Sequence, residues 1–70
     1  MNQFTFTLPA SIGDKVYYQD ELGRKWHGTL GQWYIVGAGD WCAWIEWEGK
    51  NPIPNPVTLG KFIKHFHSDR

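Results

Sequence analysis

The chain has 70 residues, seven basic and seven acidic, so its formal net charge is zero; 17% of it is aromatic, including five Trp. One cysteine, Cys42, excludes an internal disulfide framework, and one Cys with three His at no recognised ligand spacing argues against a structural zinc site. Without a basic excess, a nucleic-acid phosphate backbone is not an expected partner.

Residues 2–8 alternate, with Phe4, Phe6 and Leu8 on one side and Gln3, Thr5 and Thr7 on the other. This predicts a half-buried strand ended by Pro9. Residues 10–14 read as a turn with Gly13 as its permissive residue. Residues 15–19 predict a second strand, with Val16 and Tyr18 facing one way and Tyr17 the other. A polar loop with Gly23 at its tip follows over residues 20–25. Residues 26–36 are rich in aromatic and β-branched side chains but are interrupted by Gly28 and Gly31. That combination predicts a bent strand, or two strands meeting at a bulge.

Residues 37–40 carry hairpin-turn chemistry. Residues 41–48 alternate most clearly: Trp41, Ala43, Ile45 and Trp47 form an apolar face, and Cys42, Trp44, Glu46 and Glu48 the other. Pro52, Pro54 and Pro56 forbid helix and predict an extended edge segment or a rigid loop. Asn55 before Pro56 reads as the N-cap of a short helical turn carrying Val57, Leu59 and Phe62. Residues 61–66 fit either the end of that turn or a last strand, and residues 67–70 are expected to form a frayed tail.

About five short strands, Gly-rich turns and one helical turn near the C-terminus predict an all-β fold, a small SH3-like barrel, as a single domain. A domain of this length buries only roughly 60% of its unfolded surface, so aromatic packing and self-association are its available reinforcements. No run reaches transmembrane length, and the first residues lack the basic and apolar blocks of a signal peptide. One unpaired Cys suits a reducing compartment, so a cytoplasmic protein without a membrane partner is expected.

The run Gly13-Asp14-Lys15-Val16, then Gly23, Trp26-His27-Gly28, Leu30 and Trp33-Tyr34, resembles the plasmid-borne type II dihydrofolate reductases. Those enzymes carry Gly-Asp-Arg-Val, a Gly-containing loop, Trp-x-Gly-x-Ile and Trp-Tyr at matching distances. Phe4-Thr5-Phe6 is similar to their Phe-Val-Phe entry segment, and Pro56-Val57 with Phe62-Ile63 to their closing segment. The resemblance implies an SH3-like barrel that forms a homotetramer around one pore. In that pore NADPH and dihydrofolate bind against each other, lined by a Val-Gln-Ile-Tyr segment and a Lys from the early strand. The matching positions here hold Pro52, Ile53, Pro54 and Asn55, with Tyr18 in place of the Lys. Ile53 has no hydrogen-bonding group, Asn55 has no phenol ring, and Tyr18 has no cation for a cofactor phosphate. The resemblance therefore speaks for the barrel more than for the reductase, because function resides in the site.

Trp44 is the sharpest single candidate. It shares its strand face with Cys42 and Glu46, and Trp is enriched at interface hot spots. Tyr17, Tyr18, Trp33 and the Pro-rich residues 52–56, including Ile53, Pro54 and Asn55, point to an aromatic groove that docks an extended peptide, or to rings packing on prolines within one chain. Glu46 and Glu48 read as a solvated pair, since no nucleophile accompanies them. His65 and His67 would share a face if both lay on one strand, and could then hold a metal. No catalytic residue is assigned. The expected function is a non-enzymatic binding or assembly module, accessory cargo of a mobile element or phage, whose partner is itself or another protein and which needs no cofactor. The alternative is a divergent NADPH-dependent dihydrofolate reductase acting in the pore of a homotetramer.

Overall fold

The computed structural model describes residues 8–37 and 39–69. The strand expected over residues 2–8 lies outside them, apart from Leu8. In chain order the elements are β1 (Lys15–Gln19), β2 (Lys25–Val36), β3 (Asp40–Trp47), β4 (Val57–Thr58), α1 (Leu59–His65) and β5 (Phe66–Ser68). The strands form one antiparallel sheet in the order β4-β3-β2-β1-β5. This is the small all-β, SH3-like barrel the sequence predicts, with its one short helix near the C-terminus. Among the described residues, no helix is long and apolar enough to cross a membrane.

Alternation in β1 turns Val16 into the core at 2% exposure and packs Tyr18 beside it, which sends Tyr17 to the opposite face. The β1–β2 loop is organised by Asp20. One carboxylate oxygen accepts the N–H groups of Leu22 and Arg24 at 3.0 and 2.8 Å. The other accepts Arg24 Nε at 2.6 Å and the Trp26 indole N–H at 3.4 Å. Desolvation pulls this carboxyl upward, but the side-chain and backbone hydrogen bonds from Arg24, the Trp26 bond and the Arg24 charge outweigh it. Asp20 therefore lies below the ordinary carboxylate value. A depressed carboxyl stabilises the fold above its unfolded-state value, and that contribution is lost as pH falls through the folded-state value. Asp20→Asn should thus lower the melting temperature modestly at neutral pH, and the gap to the parent should shrink as pH drops below the carboxylate range. Melts across pH test this; a gap that does not change with pH refutes it.

The interruption of β2 is a bulge. Pairing with β3 runs Gly28↔Trp47, Thr29↔Glu46 and Leu30↔Ile45, and after a register shift resumes at Gln32↔Trp44. Gly31 is the extra residue, so the parity of the strand reverses there. Before it, Gly28 and Leu30 face the core; after it, Trp33 and Ile35 share that face with their partners Ala43 and Trp41. Gly28 is required by packing: a Cβ there would lie 2.8 Å from Ile45 Cγ2 and 2.9 Å from the Glu46 carbonyl oxygen.

β4 and β5 are the two edges of the sheet, and α1 spans from one to the other. Phe62 on α1 is 4% exposed and stacks on Phe66 with centroids 4.7 Å apart and planes 9° from parallel. Trp33 meets Phe62 edge-on at 5.1 Å. Val16, Leu30, Ala43, Ile45, Val57, Phe62 and Phe66 form the core between the bent sheet and the helix.

Two local expectations are corrected. The helix begins later than the Asn55-Pro56 signal predicts: its N-cap is Thr58, whose Oγ1 accepts the Lys61 N–H at 3.3 Å. Asn55 is drawn away by a tertiary partner, described below. The second correction concerns the tail. His67 and Ser68 do not fray; they pair with Tyr17 and Val16 in β5, and the Asp69 N–H donates to the Lys15 carbonyl at 2.9 Å. Unpaired backbone along β1 is satisfied this way, which outweighs the tendency of a terminus to loosen.

Candidate functional site

The residues singled out from the sequence fall in three places. Trp44 lies in the middle of β3, opposite Gln32, and is 43% exposed on the outer face of the sheet. The rest of the indoles are more enclosed. Trp33 donates its Nε1–H to the Ala10 carbonyl at 2.8 Å. Trp47 lies against Phe66 at 5.7 Å, and Trp26 reaches Asp20. Trp41 is half-buried at the barrel end, beside Leu59 and Gly60. Cys42 shares the outer face with Trp44 but is only 2% exposed, lying between its cross-strand neighbours Tyr34 and Thr58.

The second place is the segment over residues 52–56. Ile53 packs against the core, and Pro54 is exposed. The Asn55–Pro56 peptide is cis. The Asn55 side chain is engaged twice by one residue of β3: Oδ1 accepts the Ile45 N–H at 3.0 Å, and Nδ2 donates to the Ile45 carbonyl at 2.9 Å. β4 pairs with β3 as Cys42↔Thr58 and Ala43↔Val57. Continuing that register by two would bring residue 55 opposite Ile45. The amide of Asn55 thus supplies the donor and acceptor that backbone would supply, and extends the ladder beyond the two residues of β4.

The third place is β1, which β2 separates from β3. Tyr18 is half-buried, with Phe66 at 5.5 Å and His65 at 5.7 Å between centroids. Tyr17 sits on the outer face between its cross-strand partners: His67 stacks on it at 5.1 Å, and His27 is tilted against it at 5.9 Å. Lys25 Nζ lies 4.9 Å from the Tyr17 ring centroid. His27 Nδ1 is 2.7 Å from Asp69 Oδ2, a pair 42 positions apart in sequence. His65 and His67 accompany Tyr18 and Tyr17 respectively, and so belong to opposite faces.

The structure therefore does not gather Tyr17, Tyr18 and the Pro-rich segment into one groove. Ile53, Asn55 and Tyr18 serve the fold, Trp44 and Pro54 are exposed, and Tyr17 is half-buried on the outer face between His27 and His67. Sequence reasoning missed the Tyr17–His27–His67 row and its Asp69 anchor. The row was invisible because it depends on the register of three strands, and no local pattern encodes that register. Comparison with known proteins finds no matching family model, no matching curated protein and no matching solved structure.

Proposed function

We propose that this domain is a non-enzymatic binding and assembly module, an SH3-like barrel that associates with itself or with a protein partner through exposed aromatic surface. The observation that carries the proposal is Trp44, a large indole 43% exposed at the centre of a strand, on the face turned away from the core. Trp is among the residue types enriched at interface hot spots, and a mid-strand indole left partly in water offers a partner apolar area to cover. Zero net charge adds no long-range repulsion between copies. A cytoplasmic setting and a role as mobile-element or phage accessory protein belong to the same reading, the second drawn from the type II reductase resemblance alone.

The reductase alternative has less to draw on. Of the positions matched to the pore, Ile53 is packed on the core, Asn55 is held by Ile45, and Tyr18 packs against core rings. Light scattering combined with titration of NADPH against Trp fluorescence separates the two readings. A tetramer whose fluorescence responds to micromolar NADPH overturns the module. Trp44→Ala should weaken association by about tenfold or more, the effect of losing a hot-spot indole, with the β-sheet circular dichroism unchanged. A variant that unfolds instead would make Trp44 a core residue and remove the basis of the proposal.

A further inference from the structure

The described strands leave three stretches of sheet edge, and the chain protects two of them. β4 is two residues long, preceded by prolines that lack an N–H, and the Asn55 amide occupies the edge of β3 beside it. β5 is three residues long, carries His67 and Ser68, and is followed by Asp69. Short length, proline and polar side chains are the usual means of blunting an edge.

The third stretch is the distal half of β2. β1 pairs with β2 only from Lys25 to Thr29. Gly13 and Asp14 take over at Leu30, through Gly13 N–H to Leu30 O at 2.7 Å and Leu30 N–H to Asp14 O at 2.9 Å. Beyond the Gly31 bulge, β3 pairs residues 32–36 on one side. Among the described residues, no strand pairs them on the other. Alternate residues of such a strand direct N–H and C=O outward. The sequence there, Gln-Trp-Tyr-Ile-Val, has no charge and no proline, and its residues favour strand. Ile35 is 54% exposed and Val36 37%. Gln32 is the one polar amide in these five residues, and they have neither the proline of the β4 edge nor the shortness of β4 and β5.

We propose that residues 32–36 are where a second copy of this chain adds edge to edge, antiparallel, about a twofold axis at Tyr34. The proposal rests on the self-association half of the reading above but uses backbone rather than the Trp44 indole. In this register Tyr34 faces its own counterpart, Trp33 faces the partner's Ile35, and Gln32 faces the partner's Val36. Trp33 and Ile35 both lie on the core-side face, so the pairing sets an aromatic ring against a β-branched side chain twice and covers the exposed Ile35. No charge meets a like charge, because the segment has none. A segment that complements itself is what an isologous twofold contact requires.

Sedimentation velocity on the full chain, with Tyr34→Lys, Tyr34→Glu and their equimolar mixture, tests this. The parent should show a monomer–dimer equilibrium. Each charge variant, by placing like charges opposite each other, should weaken it by about tenfold or more. The mixture should restore a mixed dimer, which also demonstrates that both variants are folded. A parent that stays monomeric at every concentration overturns the inference. So do charge variants that dimerise like the parent, or a mixture that does not recover. If Trp44→Ala abolishes the dimer while the Tyr34 variants leave it intact, this inference fails and the Trp44 reading stands.

Discussion

Phe62→Ala should cost the domain about half of its stability. Phe62 is the side chain through which α1 closes the gap between the sheet edges, stacked on Phe66 and met by Trp33. Truncating a buried Phe costs about 3–5 kcal/mol, from lost transfer energy and the cavity left behind. A 70-residue domain has only about 4–10 kcal/mol in total. The melting transition should fall by about 4–8 °C for each kcal/mol lost. Ile63→Ala is the control, since Ile63 is the next residue on the same helix but is 64% exposed; its change should stay within about 0.5 kcal/mol. Thermal melts followed by circular dichroism decide the matter. A Phe62→Ala protein that melts like the parent would mean that the helix does not complete the core.

Asn55→Ala should be the second most damaging change, at about 2–4 kcal/mol. The substitution orphans two groups at once, the N–H and the carbonyl of Ile45, a residue only 1% exposed. Each unsatisfied buried group costs about 1–3 kcal/mol. Asn55→Asp should do no better, because a carboxylate keeps the acceptor for the Ile45 N–H but offers its carbonyl a lone pair in place of a donor. Denaturant unfolding measures the loss, and hydrogen exchange locates it: the Ile45 amide should exchange faster in Asn55→Ala. A change below about 0.5 kcal/mol, the range of ordinary surface substitutions, would show that β3 holds its edge without the amide.

The two positions differ in how readable they are. Phe62 could be assigned to a helical turn from its spacing with Leu59, because apolar periodicity reports which side chains turn inward, although Val57, expected on the same turn, belongs to β4. Asn55 carries an equally clear local signal, N-cap before proline, and that signal misleads. A competing partner ten residues away supplies both a donor and an acceptor, so the cap passes to Thr58. Residues 67–69 depart from the expected frayed tail for the same reason: a polar terminus frays only when no open strand lies beside it, and β1 does.

By itself the sequence determined what local chemistry determines. The period-two patterns of β1 and β3 set which side chains turn inward, and Gly28 with Gly31 signals that β2 is interrupted, while the pairing with β3 selects Gly31 as the bulge. A lone Cys42 rules out disulfide reinforcement within the chain. Tertiary structure alone decided which strands become neighbours, and from that followed the His27–Asp69 pair, the Tyr17 row, the Asn55 clasp on Ile45 and the open edge over residues 32–36. The physical reason is that burial along one strand repeats with the backbone's own geometry. Pairing between strands depends instead on register and loop closure across the whole chain, and no window of neighbouring residues contains that information.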